Sequence, residues 1–281
     1  IVEWTKLWLL KLNISKCKVL TIGTNDNQMH RYQVTSDGIH SVLSNVKSEK
    51  DLGITVDSNL SFDLHIQEVV KKANKILGVI KRTFKFLDYK TFTMLYKSMV
   101  RSHLEYAQAV WSPHKQFNIE LLEKVQRRAT KIIPGFYRLP YDQRLKRLNL
   151  PTLAYRRARG DMIETYKILN GCYDSNACPS LSRAIYSNTR GHCMKLFKLH
   201  AKKDVRKFNF SVRVVDNWNS LPAQVIDSTN VNAFKRNLDK HWSKQEMLTN
   251  FKAKIVLGNR SVFLLIYINL RVIQVFLTLM I

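Results

Sequence analysis

Nine cations hold the chemistry legible in this sequence. Lys71, Lys72, Lys75 and Arg82 lie close together, Arg127, Arg128 and Lys131 form a second group, and Arg156 and Arg157 are adjacent. Amines and guanidiniums bind phosphate oxygens with an affinity that is nearly independent of base sequence and falls steeply with salt. The whole chain points the same way. Its 46 Lys and Arg against 21 Asp and Glu give a formal net charge of +25, far more than solubility requires. Nucleic acid is therefore the expected partner. Tyr137, Tyr141 and Tyr155 are interleaved with arginines and could stack on unpaired bases, although Tyr155, near Leu153 in a helix, fits core packing better.

Other constellations do not hold together. Cys172, Cys178, His192, Cys193 and His200 invite a zinc reading, but five residues separate the first two cysteines and His192 adjoins Cys193. Structural zinc sites usually place two to four residues between their first ligands, so ordinary thiols are expected and no metal site is assigned. His103 and Glu105 stand two apart on a predicted helix and point to different sides, which makes His103 a buried core histidine. The chain has no phosphate-binding glycine loop, no serine nucleophile elbow and no H-E-x-x-H zinc helix. Nor do two adjacent aspartates occur anywhere in it, so no catalytic residue is assigned.

The elements that would position the cations follow from apolar periodicity. Trp4, Leu7, Trp8 and Leu12 fit a short helix, Lys18 to Ile22 a strand, and Arg31–Val34 and Ile39–Val46 two weaker strands divided by Ser36-Asp37-Gly38. Leu52 to Val56 alternates and reads as a strand with Leu52, Ile54 and Val56 on its buried face. From Ser61 the period becomes helical, with Ile66, Val69, Ala73, Ile76, Leu77 and Ile80 in one stripe and the lysines mainly outside it. Asp88 can cap a second helix whose apolar positions run from Phe92 to Ala107. A third follows Asn118 and stops at Pro134-Gly135, and two more are expected over Tyr141–Leu148 and Thr152–Leu169. Between Lys124 and Arg159 the cations far outnumber the one acid, Asp142, so these charges are expected to line a surface. Phe234, Leu238 and Trp242 mark a last helix around Val231–Trp242. The fold class expected is α+β: a small β-sheet followed by a mainly helical, basic region.

An ordered series of short motifs runs through these elements. It begins with Leu12-Asn13, Lys16-Cys17 and Lys50-Asp51-Leu52-Gly53, and continues with Leu104-Glu105-Tyr106, Trp111 and Pro113. Gln126-Arg127-Arg128-Ala129-Thr130, Arg156-Arg157, Gly160-Asp161, Thr189-Arg190-Gly191-His192, Trp218-Asn219, Leu221-Pro222 and Phe234-Lys235 complete it. In this order they resemble the C-terminal third of the reverse transcriptase of jockey-like non-LTR (LINE) retrotransposons, from about Trp4 to Trp242. The resemblance implies the end of the palm with a primer-gripping strand over residues 1–60, a helical thumb over 61–133 and a basic C-terminal extension over 134–245. It also implies a template and primer duplex of RNA and DNA as ligand, held by the nine cations, and the palm and fingers of the parent polymerase as partners. Catalytic Mg²⁺ would be held by an aromatic-Ala-Asp-Asp turn that this chain lacks, so no cofactor is expected here.

Residue 1 is Ile rather than Met, which fits an internal or C-terminal piece of something longer. The chain is thus expected to be a fragment of an RNA-directed DNA polymerase that binds nucleic acid and polymerises nothing alone. The alternatives are a non-catalytic binder derived from such an element and a membrane-anchored basic protein. Unpaired cysteines and the lack of a secretory signal fit an intracellular, nuclear or cytoplasmic protein. Residues 246–281 lie outside the motif series, and Val262–Ile281 is almost wholly apolar but carries Arg271. A mid-span arginine costs about 2.5 to 3.5 kcal/mol against a few tenths gained per apolar residue, so membrane insertion through residues 262–281 is marginal. Two readings stay open for it: a tail anchor with Lys252, Lys254 and Arg260 on the cytosolic side, or sequence past the decayed end of an element.

Overall fold

The computed structural model of the chain describes residues 2–9, 13–23, 31–36, 39–184 and 191–257. The apolar segment 262–281 and the motif residues Thr189 and Arg190 lie outside them. The chain divides into two compact units, Ile1–Lys71 and Lys72–Ile281. As expected, the class is α+β: among the described residues the strands lie in the first unit, and helices dominate the second.

The described residues of the first unit include the short helix α1 (Val2–Leu7) and six strands, β1 (Lys18–Leu20), β2 (Gln33–Ser36), β3 (Ile39–Val42), β4 (Ser44–Val46), β5 (Ser48–Asp51) and β6 (Ile54–Asp57). In place of one mixed sheet, these form three two-stranded ladders: β1 with β4 in parallel, β2 with β3 and β5 with β6 antiparallel. Leu52 corrects the expected register. With φ of 44° at Leu52 and 86° at Gly53, the two residues form the tight turn between β5 and β6, and Leu52 is 82% exposed. The strand therefore begins at Ile54, and the alternation seen in the sequence extends over the two turn residues. At its end the Asp57 carboxylate accepts from the backbone N–H groups of Asn59, Ser61 and Phe62 at 3.1, 3.0 and 2.7 Å. Leu60 and Phe62 flank that anchor at φ of 52° and 55°, a left-handed conformation that costs a non-glycine residue about 1–2 kcal/mol. The bonds to Asp57 offset this cost and start α2 (Asp63–Thr83).

The second unit takes up the rest of α2, from Lys72. Asp88 caps α3 (Tyr89–Leu95) by accepting from Thr91 N at 2.8 Å, and α3 continues through a π-helical segment, Tyr96–Arg101, into α4 (Ser102–Glu105). Phe92, Tyr96, Val100 and Leu104 are all buried, in steps of four. In a regular α-helix such steps drift by about 40° each, so the wider π turn keeps all four on one face. The neighbouring column is only partly covered: Met99 is 44% exposed and His103 half-buried. Burial moves the His103 imidazole below its ordinary pKa.

Next come α5 (Gln108–Trp111), α6 (Gln116–Ala129) and α7 (Tyr141–Leu148), the last closed by Asn149 at φ 48°. The 17-residue α8 (Leu153–Leu169), capped by Thr152, is the hub, packing against α5, α6, α10 (Phe210–Asn219) and α12 (Val231–His241). Two short helices, α9 (Asp204–Lys207) and α11 (Ala223–Ile226), complete the set. Neither α9 nor α10 is among the helices expected from apolar periodicity. Asn209 starts α10 by accepting from Ser211 N, and Val214, Val215 and Trp218 drive its burial beside Tyr166 and Phe234 of the same core.

Residues 246–257 carry none of the motif series, yet they belong to this core. Thr152 bonds the carbonyls of Met247 at 2.6 Å and Leu248 at 3.0 Å, and Phe251 and Ile255 are buried. Among the described residues no helix is long and apolar enough to cross a membrane.

Candidate nucleic-acid interface

Four of the expected phosphate-binding cations stand on α2. Lys71, Lys72, Lys75 and Arg82 are all exposed, and because Lys71, Lys75 and Arg82 are four and seven residues apart they share one face of the helix. The opposite face carries Ala73, Leu77 and Ile80, which are buried, so the amphipathic stripe that fixes the helix also fixes where its cations point.

A second group stands at the C-terminal end of α6, where Arg127, Arg128 and Lys131 are exposed. Three features hold that end in place. Arg144, almost fully buried, donates to the Arg127 carbonyl at 2.8 Å and to Thr130 Oγ1 at 2.7 Å, putting positive charge against the negative end of the helix dipole. The Arg127 guanidinium lies 4.8 Å from the Phe251 ring centroid and 5.1 Å from that of Tyr141, cation–π contacts that attract it to both rings. Arg128 Nη1 donates to Asn74 Oδ1 on α2 at 3.4 Å. That bond draws the end of α6 to the middle of α2, so Lys72, Lys75 and Arg128 lie in one neighbourhood.

Arg156 and Arg157 part company. Arg156, half-buried, forms a two-pronged pair with Glu105, whose second oxygen lies 2.7 Å from Nη2. It also lines a cleft of about 580 Å³ formed by α7, the first half of α8 and the end of α12, together with Lys146, Asn149, Arg159 and Thr249. Arg159 is itself held by Asp239 through bonds of 2.5 and 2.8 Å. Lys146 and Arg159 belong to the basic run between Lys124 and Arg159 and could have been singled out by their one-turn spacing from Asp142 and Arg156, but sequence alone does not say which arginines share a cleft.

Arg157 corrects the expectation that it faces a ligand. It is 5% exposed, on the inward face of α8 one turn before the buried Asp161, where Glu123, Asp161 and Glu105 attract it. The helical rotation of about 100° per residue decides this: one step along α8 separates a cation at a cleft from one in the core. Desolvation lowers the Arg157 pKa, and the carboxylates oppose that shift.

The tyrosines sort in the same way. Tyr155 is buried, edge-on to Trp242 with centroids 5.9 Å apart, and desolvation raises its hydroxyl to about 12. Tyr141 donates to Glu123 Oε1 at 2.6 Å and accepts from Gln126 at 3.0 Å, so its edge serves the interior. Gln126 in turn accepts from the buried Tyr96 hydroxyl at 2.7 Å and donates to the Pro151 carbonyl at 3.0 Å. Of the three, Tyr137 alone has an exposed ring, with Arg138 5.4 Å from its centroid.

No three His, Cys, Asp or Glu side chains converge among the described residues into a set that could hold a metal ion. Cys172 and Cys193 are exposed thiols, and His192 is buried, its Nε2 3.2 Å from the Trp218 carbonyl oxygen.

Fold and surface together define an α+β protein whose helical unit displays grouped cations on α2 and α6. In comparisons with known proteins, no family model matches the chain and no solved structure does. It is similar to the uncharacterized protein B0403.1 of Caenorhabditis elegans, 29% identical over 126 residues. That match takes in 44% of this chain and 64% of the worm protein.

Proposed function

We propose that this chain is the nucleic-acid-holding part of a non-LTR retrotransposon reverse transcriptase, gripping a template and primer duplex without performing the chemistry of extension. The observation that carries this reading is the hydrogen bond between α6 and α2 through Arg128 and Asn74, which brings exposed Lys and Arg of the two helices together. A duplex bears one negative charge per about 1.7 Å of axis, so fixed cations on helices match it without base contacts. The ordered motif series adds the family. The residues of this chain do not fit the two Mg²⁺ ions of polymerisation, since adjacent aspartates are lacking, and no metal-dependent step is assigned to it.

The test is fluorescence anisotropy of the purified chain with a labelled primed template at low ionic strength. Binding that weakens linearly in log salt supports the reading, and failure of a folded chain to retain any primed template at low salt overturns it. Nucleotide incorporation by the chain alone would overturn the assignment of a purely holding role.

A further inference from the structure

The segment joining α2 to α3 presents aromatic rings to solvent in a way that packing does not explain. Phe86 is 96% exposed, Tyr89 53% and Phe84 39%, and none of the three rings has a ring or cation partner among the described residues. Exposure on this scale is imposed by two anchors. Leu87 is buried at 5%, and Asp88 spends its carboxylate on the cap of α3. With Leu87 turned inward and Asp88 fixed, Phe86 is driven outward. Four exposed cations, Lys81, Arg82, Lys85 and Lys90, flank the rings along the chain, while the carboxylate of Asp88 is already engaged.

We propose that Phe84, Phe86 and Tyr89 form a stacking platform for unpaired bases of a nucleic-acid strand, whose phosphates the four flanking cations hold. Flat apolar faces beside uncompensated positive charge complement a ligand that is flat and apolar on one side and anionic on the other; a single strand has that form, and base–aromatic stacking tolerates any sequence. Cations on α2 lead to the platform, since Lys75 and Arg82 share a face about 10 Å apart along the axis. The proposal rests on the nucleic-acid-holding reading and assigns to it a place where paired strand gives way to unpaired strand.

The experiment compares the full chain with Phe86→Ala and with Phe84→Ala/Phe86→Ala on two labelled probes, an oligothymidylate and a blunt duplex of equal length. Because Phe86 is almost wholly exposed, its substitution leaves the thermal midpoint in place, which is checked first. Affinity for oligothymidylate is expected to fall about tenfold per ring removed, duplex affinity to stay unchanged, and Phe86→Trp to retain the single-strand affinity. Unchanged oligothymidylate binding in both alanine variants, with duplex binding intact, overturns the platform and leaves the holding role standing. A wild-type chain that binds neither probe overturns both. Binding of vesicles containing phosphatidylserine that is lost in the alanine variants, while oligothymidylate binding persists, assigns the rings to a lipid surface and overturns the proposal.

Discussion

Arg213 and Asp161 form a two-pronged ion pair in the interior of the helical unit, with Nε and Nη2 each 2.9 Å from a carboxylate oxygen. The same guanidinium reaches the carbonyls of Ala109 at 2.7 Å and Phe208 at 3.2 Å, so one side chain ties α10 to α8 and to α5. Burial pushes the Asp161 carboxyl up, and the bonds from Arg213 pull it down. Removing one partner leaves an uncompensated buried charge. Asp161→Ala is expected to lose about 3–5 kcal/mol of stability. Denaturant unfolding measures it, and an unfolding midpoint equal to that of the wild type would deny the pair its role in holding α10.

Salt dependence separates surface cations from interior ones. Replacing Lys75, Arg128 and Lys131 by Ala is expected to lower duplex affinity and to flatten the slope of log affinity against log salt by about 0.9 for each phosphate that is no longer neutralised. Arg157→Ala, by contrast, should lower the unfolding midpoint and leave the slope where it was, since that guanidinium is buried. A flattened slope in the Arg157 variant would return it to the interface.

Glu123 gives a pH signature. Its carboxyl is fully buried and is pushed above the ordinary 4.5, mainly by desolvation, against the bond from Tyr141 and the attraction of Arg157. A raised carboxyl binds its proton more tightly in the folded chain. The stability this supplies is complete below 4.5 and is lost as pH climbs through the raised folded value. Glu123→Gln removes the titration, so the variant should gain on the wild type as pH rises from about 4.5 toward neutrality. Parallel stability profiles for the two proteins would show that Glu123 does not titrate with folding.

Gly160 marks the close approach of α8 to α5. A Cβ there would overlap only the far end of the flexible Gln108 side chain, which can swing aside, so Gly160→Ala is expected to change stability by less than about 1 kcal/mol. Gln108 Oε1 is buried without a hydrogen-bond partner, so moving that side chain forfeits no bond from this atom, and Gly160→Ala/Gln108→Ala is expected to be no less stable than the single variant. Thermal melts of the single and double variants check this. A Gly160→Ala variant that melts well below the wild type and is restored in the double variant would show that Gln108 cannot give way.

Much of the helical unit is legible in the sequence because its apolar residues recur at helical spacing. The stripe on α2, the Asp88 cap and the break after α6 follow from local chemistry, which acts over one or two turns and leaves its mark in the order of residues. Net charge and the grouping of cations are equally plain, since neither depends on how the chain folds back on itself.

Tertiary structure decided what depends on residues far apart in the chain. Arg156 and Arg157 are neighbours of the same type, and only the packing of α8 against α6 and α10 put one at a cleft and the other in the core. Helix α10 is hard to see in the sequence because it is short and its five buried apolar residues are held by partners tens of residues away, and Leu52 imitates a strand residue because a tight turn can continue a strand's alternation. Sequence therefore determined the charge, the class and the main helices, whose causes are local. Which cations reach a ligand is set by the faces that long-range burial leaves open.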